Sequence, residues 1–219
     1  MEGQQIFTIG RRCGSGGRLV AEKVAETLGI KCYDKELLNI TAKNSGLSQE
    51  LLEALDEKPT NSFLYSLAMD SYAMGRTTGT YIDMPINHKM FLAQMETLKK
   101  LAADGESFVI IGRCADYALS AVKNKVTAFI TADDDDCLQR LMELNGFNKE
   151  KARDMAMSMD KKRGNYYNYY TGKKWGDSSN YDICINTSAT GIGGAVEILL
   201  EVAKQKAEIL RGARLRTVT

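Results

Sequence analysis

The sequence lacks a charge excess: 29 Lys and Arg stand against 28 Asp and Glu, a formal net charge of +1. That balance removes the bulk electrostatic footprint of a nucleic-acid-binding surface, and no nucleic-acid partner is expected. No apolar run approaches the length of a membrane span. Met1 to Gln5 is polar and the apolar stretch behind it is short, so no secretory leader is expected and a cytoplasmic location is. The five cysteines (Cys13, Cys32, Cys114, Cys137 and Cys184) are odd in number and without paired spacing. They read as reduced thiols and provide no zinc site. The lone histidine, His88, opens a helical pattern and is a poor candidate for catalysis. Taken together, these absences leave a single domain over residues 1–219, long enough to bury a sizeable core.

The main positive feature is a glycine loop near the N-terminus. Ile6-Phe7-Thr8-Ile9 is a short β-branched, apolar stretch, and Gly10-Arg11-Arg12-Cys13-Gly14-Ser15-Gly16-Gly17-Arg18 follows it. An amphipathic helix carrying Val20, Val24, Ala25 and Leu28 comes next. Strand, glycine loop and helix together cradle phosphate: glycines allow close backbone approach, and the free N–H groups at the helix start face the anion. Gly14, Ser15, Gly16, Gly17 and Arg18 are therefore the candidate donor-phosphate residues. The usual pattern G-x-x-x-x-G-K-[ST] is incomplete, however. With Gly16 as its second glycine, Gly17 stands at the lysine position and Arg18 follows. Arg18 or Arg11 is then the candidate replacement cation, since guanidinium grips phosphate in a bidentate fork.

Strand and helix patterns alternate along the chain. Strands are expected at 6–9, 30–33, 107–111, 126–130 and 181–185. Helices are expected at 17–28, 35–43, 48–55 (opened by Ser48) and 87–103. Nearly continuous apolar strands signal a parallel sheet covered on both faces, so the fold class is α/β, doubly wound and mainly parallel, with five strands. Ligands of such sheets sit beyond the carboxyl ends of the strands. Tyr33-Asp34 and Gly112-Arg113 fall there with the glycine loop. Arg113 reads as an acceptor-phosphate clamp, or as an ion pair with Asp34 or Asp116. Asp34 reads as an acceptor or magnesium ligand, or as the cap of the next helix.

The loop Gly10 to Arg18, Gly112-Arg113, the segment Asn165 to Gly172 and the run Tyr181 to Ser188 resemble the cytidylate kinase-like branch of the nucleoside monophosphate kinases. The resemblance covers most of the chain except about 57–85. It implies a P-loop kinase-type fold with a helical lid at about 148–176. The implied activity is transfer of the ATP γ-phosphoryl, with Mg2+, to a small nucleotide such as a (deoxy)cytidylate. The alternatives are another small acceptor or a catalytically weak nucleotide-binding module. In the lid, Arg163 is the candidate transition-state residue, with Arg140 and Arg153 behind it. Cys114 stands where cytidylate kinases carry a nucleotide-contacting aspartate, which weakens the case for cytidine as acceptor.

Three segments complete the reading. Asp133 to Asp136 precede a helix and suit N-terminal capping better than metal binding. Tyr166, Tyr167, Tyr169 and Tyr170 lie on several faces of one helix, as residues that pack the lid on the core or on a partner do. Residues 57–85, with Arg76, provide either an acceptor-binding insertion or the apolar contact of a homodimer.

Overall fold

Ile6, Phe7 and Ile9 are buried, and the strand they build, β1 (Ile6–Arg11), lies at the centre of the sheet. The structure, a computed structural model, describes residues 3–46, 50 and 86–216. The remaining strands are β2 (Lys31–Tyr33), β3 (Phe108–Ile111), β4 (Lys125–Thr131) and β5 (Ile183–Asn186). They pair in the order β2-β3-β1-β4-β5, and every pairing is parallel. Between them run α1 (Gly17–Leu28), α2 (Glu36–Ser45), α3 (Ile86–Ala103), the short α4 (Ala115–Ala118), α5 (Asp134–Asn145) and α6 (Lys149–Thr171). After β5 comes α7 (Thr187–Arg216), broken at Gly191 where φ is 65° and ψ 173°.

Alternation along the strands sends side chains to two separate cores. Ile6, Phe108 and Ile110 join Leu37, Phe91, Leu98 and the buried tyrosines of α6 on one face. Phe7, Ile9, Val109 and Ile111 join Val20, Val24, Ala195 and Leu199 of α1 and α7 on the other. Both faces are thus apolar, which is why the strands read as unbroken hydrophobic runs. α1 ends where expected: Gly29 is left-handed, and its N–H donates to the carbonyls of Ala25 and Glu26.

Two expectations about helix starts are corrected. Asp34 does not cap α2. The cap position is Lys35, which is already in helical conformation and makes no side-chain cap bond. Asp133, at the cap position of α5, makes no side-chain cap bond either, while Asp134, Asp135 and Asp136 fill the first turn, where the helix dipole favours acids. Asp133 Oδ1 accepts from the Asn186 amide at 2.9 Å, Asp134 pairs with Arg12 at 2.7 Å, and Asp135 lies 3.4 Å from Lys149. The helix expected over Ser48–Leu55 (Glu50 apart) and the segment 57–85 with Arg76 lie outside the described residues.

α6 is held differently at its two ends. Its N-terminus is capped by Asn148, whose side chain accepts from the Lys151 N–H at 2.9 Å. Its C-terminal half is built into the core: Tyr170 stacks on Phe91 with ring centroids 4.1 Å apart, and His88 lies against both rings, 5.9 Å from Tyr170 and 6.2 Å from Phe91. The tyrosine run therefore packs the lid on its own domain, and His88 is a buried packing residue whose imidazole pKa burial lowers. Tyr170→Ala should destabilise the protein by about 3 kcal/mol, as large-to-small core changes do. Asn148→Ala should lose roughly 1 kcal/mol, as lost N-caps do. Urea unfolding of both variants checks the order, and equal losses would contradict a core-anchored C-terminal half.

Candidate functional site

The loop between β1 and α1 is fastened on three sides. The Arg12 N–H donates to the Ile130 carbonyl at 3.0 Å, which extends the sheet pairing into the loop. The Thr187 hydroxyl, at the start of α7, donates to the Ser15 carbonyl at 2.8 Å. The Arg140 guanidinium, from α5, donates to the Gly14 carbonyl. Inside the loop the fully buried Ser15 closes the turn, its hydroxyl donating to the Arg12 carbonyl at 2.8 Å. Gly14 has a φ of 78°, and a Cβ there would lie 2.5 Å from the Cys137 carbonyl oxygen. No L side chain fits that position without displacing backbone.

The sheet edge brings the other expected residues together. Gly112, Arg113 and Cys114 have φ values of 70°, 58° and 52°, three left-handed residues in succession at the end of β3. For the two that are not glycine this conformation costs about 1–2 kcal/mol each. Such strain persists where surrounding structure holds it, often at functional sites. The tight turn buries the Arg113 side chain to 3 % exposure and sets its guanidinium 3.6 Å from Asp34 Oδ1. Asp34 Oδ2 lies 3.8 Å from Arg18, whose Nε also binds Glu22 at 2.8 Å. Arg18 thus sits at the rim, 63 % exposed, and its charge is engaged with acids instead of with the loop. Asp34 faces a guanidinium with each oxygen, a geometry that suits holding arginines better than holding a metal.

The lid helix contributes what the sequence left unassigned. Asp160 Oδ1 accepts the Cys13 N–H at 2.7 Å, so a carboxylate from α6 rests on a loop amide. Its other oxygen is 3.5 Å from Arg12 Nε, and Arg163 lies 3.8 Å away. Burial pushes the Asp160 carboxyl up, against the Cys13 N–H and the guanidiniums of Arg163 and Arg12. Burial likewise raises the Cys13 thiol, opposed by Arg163 and Arg11. Arg153 lines a neighbouring cavity of about 360 Å3 with Arg12 and Asp160.

Arg11, Arg113 and Arg163 line one small pocket with Cys114, Asp116 and Tyr167. Its free volume is about 30 Å3, little more than a water needs. Asp116 is oriented by the Tyr167 hydroxyl, which donates to Oδ2 at 2.7 Å. Asp116 entered the sequence reading only as a possible ion-pair partner of Arg113, and Asp160 and Tyr167 were missed as site members. An acid on a helix reads first as surface charge, and a tyrosine in an aromatic run reads first as packing.

Strand order, loop and lid define a P-loop kinase-type domain. The model of the cytidylate kinase-like family matches residues 6–189, and the chain belongs to that family. The crystal structure of an uncharacterized protein from Eubacterium ventriosum ATCC 27560 is 33% identical, covering 92% of this chain and 99% of that one, with a TM-score of 0.68. A gluconokinase from Sinorhizobium meliloti 1021 is 12% identical over 97% of this chain and 99% of its own, with a TM-score of 0.53, a likeness of fold alone. No curated protein matches the chain.

The site carries a pH signature. Burial raises the Asp116 carboxyl above its ordinary range, with Tyr167 opposing. The folded state therefore binds that proton more tightly than the unfolded state does. Stability is lost as pH rises from the ordinary carboxyl pKa of about 3.9 through the raised folded value, and the loss is complete above it. Asp116→Asn should accordingly raise Tm at pH 7, and the gain should vanish near pH 3. Scanning calorimetry across that range checks it; a variant less stable at pH 7 would contradict the sign.

Proposed function

We propose that this chain is a phosphotransferase that moves the γ-phosphoryl of ATP to a small acceptor bearing an anionic group, such as a (deoxy)cytidylate. The observation that carries this reading is the convergence of Arg11, Arg113 and Arg163 on one pocket beside the glycine loop. Phosphoryl transfer needs little from a protein beyond positioning and charge neutralisation, and three arginines lining one pocket would supply both. The loop from Gly14 to Arg18 would hold donor phosphates once the Ser15 N–H leaves the Arg12 carbonyl and the Gly17 N–H leaves the Ser15 hydroxyl, Arg113 with Asp34 would hold the acceptor phosphate, and Arg163 would meet the charge that spreads in transfer.

Among the described residues no cluster of three potential metal ligands occurs. On this reading a magnesium ion would be held mainly by nucleotide phosphates and water, as this ion commonly is. When bound, magnesium supplies charge neutralisation between the donor phosphates. At about 30 Å3 the pocket is too small for a nucleotide as it stands, and on this reading α6 would move off the loop before substrates enter. Lifting it breaks the Asp160–Cys13 bond and frees that amide for phosphate. A second reading, a nucleotide-binding module without turnover, draws on that same bond together with the missing lysine.

A coupled assay with ATP, magnesium and a panel of monophosphates, nucleosides and sugar acids tests the choice. Turnover with monophosphates is expected, and nucleotide binding without transfer to any acceptor would favour the module. Arg113→Ala should reduce kcat/KM by about 1.5–3 kcal/mol, with Arg113→Lys little better. An equal loss of folding stability would mark Arg113 as structural. Cytidine monophosphate should show no strong advantage over uridine monophosphate, because the Cys114 thiol is a weak hydrogen-bond partner. Cys114→Asp should raise that ratio, and a strongly cytidine-selective native enzyme would contradict this.

A further inference from the structure

A loop without lysine needs another cation against the terminal phosphate, and the structure separates the candidates. Arg18 is drawn to the rim by Glu22 and Asp34. Arg140 donates to the Gly14 carbonyl, which makes it a fastener of the loop backbone. Arg11 takes a different path. A Cβ at Gly17, the lysine position, would lie 2.5 Å from Arg11 Cβ, 3.2 Å from Arg11 Cγ and 3.2 Å from Ile130 Cβ. The Arg11 stem, the nearest of these, therefore occupies most of the space through which a lysine at position 17 would leave the backbone. Arg11 lines the same pocket as Arg113 and Arg163.

We propose that Arg11 is the catalytic cation that takes the place of the missing lysine, and that Gly17 is bare so that the Arg11 side chain can cross the start of α1. This rests on the phosphotransfer reading above. In the step it serves, an acceptor oxygen forms a bond to the γ-phosphorus while the bond to the β,γ-bridging oxygen breaks. The bonding pair leaves with ADP, and any acceptor proton goes to water. Arg11 stays protonated throughout and forms no covalent bond; it stabilises the charge gathering on the transferring oxygens. The absence of lysine and the presence of glycine at position 17 then have one cause: a long cation arrives from the strand in place of the helix.

The test combines calorimetric binding of ATP and of ADP with turnover, in the native protein and in Arg11→Met, Arg11→Lys, Arg11→Gly and Arg11→Gly/Gly17→Lys. Arg11→Met keeps the stem and removes the charge. It should bind ADP nearly as the native protein does, lose about tenfold or more of the preference for ATP over ADP, and lose roughly 10²–10³-fold in kcat, the range for a fixed transition-state donor. Arg11→Lys should stay within about tenfold of native kcat, since the charge is kept and the fork is lost. The swapped pair Arg11→Gly/Gly17→Lys should regain about tenfold or more over Arg11→Gly alone, because removing the Arg11 side chain opens the lysine path. Native ATP preference and kcat in Arg11→Met would overturn the proposal. Should Arg11→Met unfold early by Tm, the swapped pair decides, and no gain over Arg11→Gly overturns it. A native protein that binds neither ATP nor ADP would instead overturn the phosphotransfer reading, and this proposal with it.

Discussion

Close approach of backbone to backbone in the loop after β1 is the constraint around which the site is arranged. Gly14 turns left-handed directly against the Cys137 carbonyl of α5, and Gly17 lies against the stem of Arg11. Neither position has room for a Cβ. The loop can therefore nest between α1, α5 and the start of α7, where Arg140 and Thr187 grip its carbonyls. Its carbonyls are used for fastening, and part of its N–H set is engaged as well: Arg12 with the Ile130 carbonyl, Cys13 with Asp160, Ser15 with the Arg12 carbonyl at 3.3 Å and Gly17 with the Ser15 hydroxyl at 3.3 Å.

Charge in the site is arranged as alternating signs. Arg18, Asp34 and Arg113 form one line along the sheet edge, and Arg12, Asp160 and Arg163 form another across the lid. Each carboxylate lies within ion-pair reach of two guanidiniums. Asp160 goes further by occupying a loop amide itself. The buried Asp116, held by Tyr167, adds a second acid whose burial works against stability at neutral pH.

Much of this was legible in the sequence, for physical reasons. Both faces of the sheet are covered, so β3 and β4 read as apolar runs, and glycine signals mark the ends of α1 and β3. The loop and the sheet edge could be placed from those signals, whereas the lid was read from the family resemblance. Other features had no local signature. Asp34 looks like a helix cap because it precedes a helix, yet the arginines on either side claim it. Arg18 looks like the loop's cation by position, but helical phase carries it to Glu22, one turn on. The left-handed turn at Arg113 and Cys114 uses residue types that do not announce such a conformation, so tertiary packing must impose it. Asp160 reads as part of a charged helix face until the fold sets it on Cys13.

The central claim is that the glycine loop and the converging arginines are two halves of one phosphoryl-transfer site. A crystal structure with ADP, magnesium, aluminium fluoride and a nucleoside monophosphate tests it most directly. The fluoride should lie between the loop amides and the guanidiniums of Arg11, Arg113 and Arg163, with Asp160 withdrawn from the Cys13 N–H. Nucleotides bound away from the loop, or an Asp160–Cys13 bond that survives in the complex, would contradict the claim.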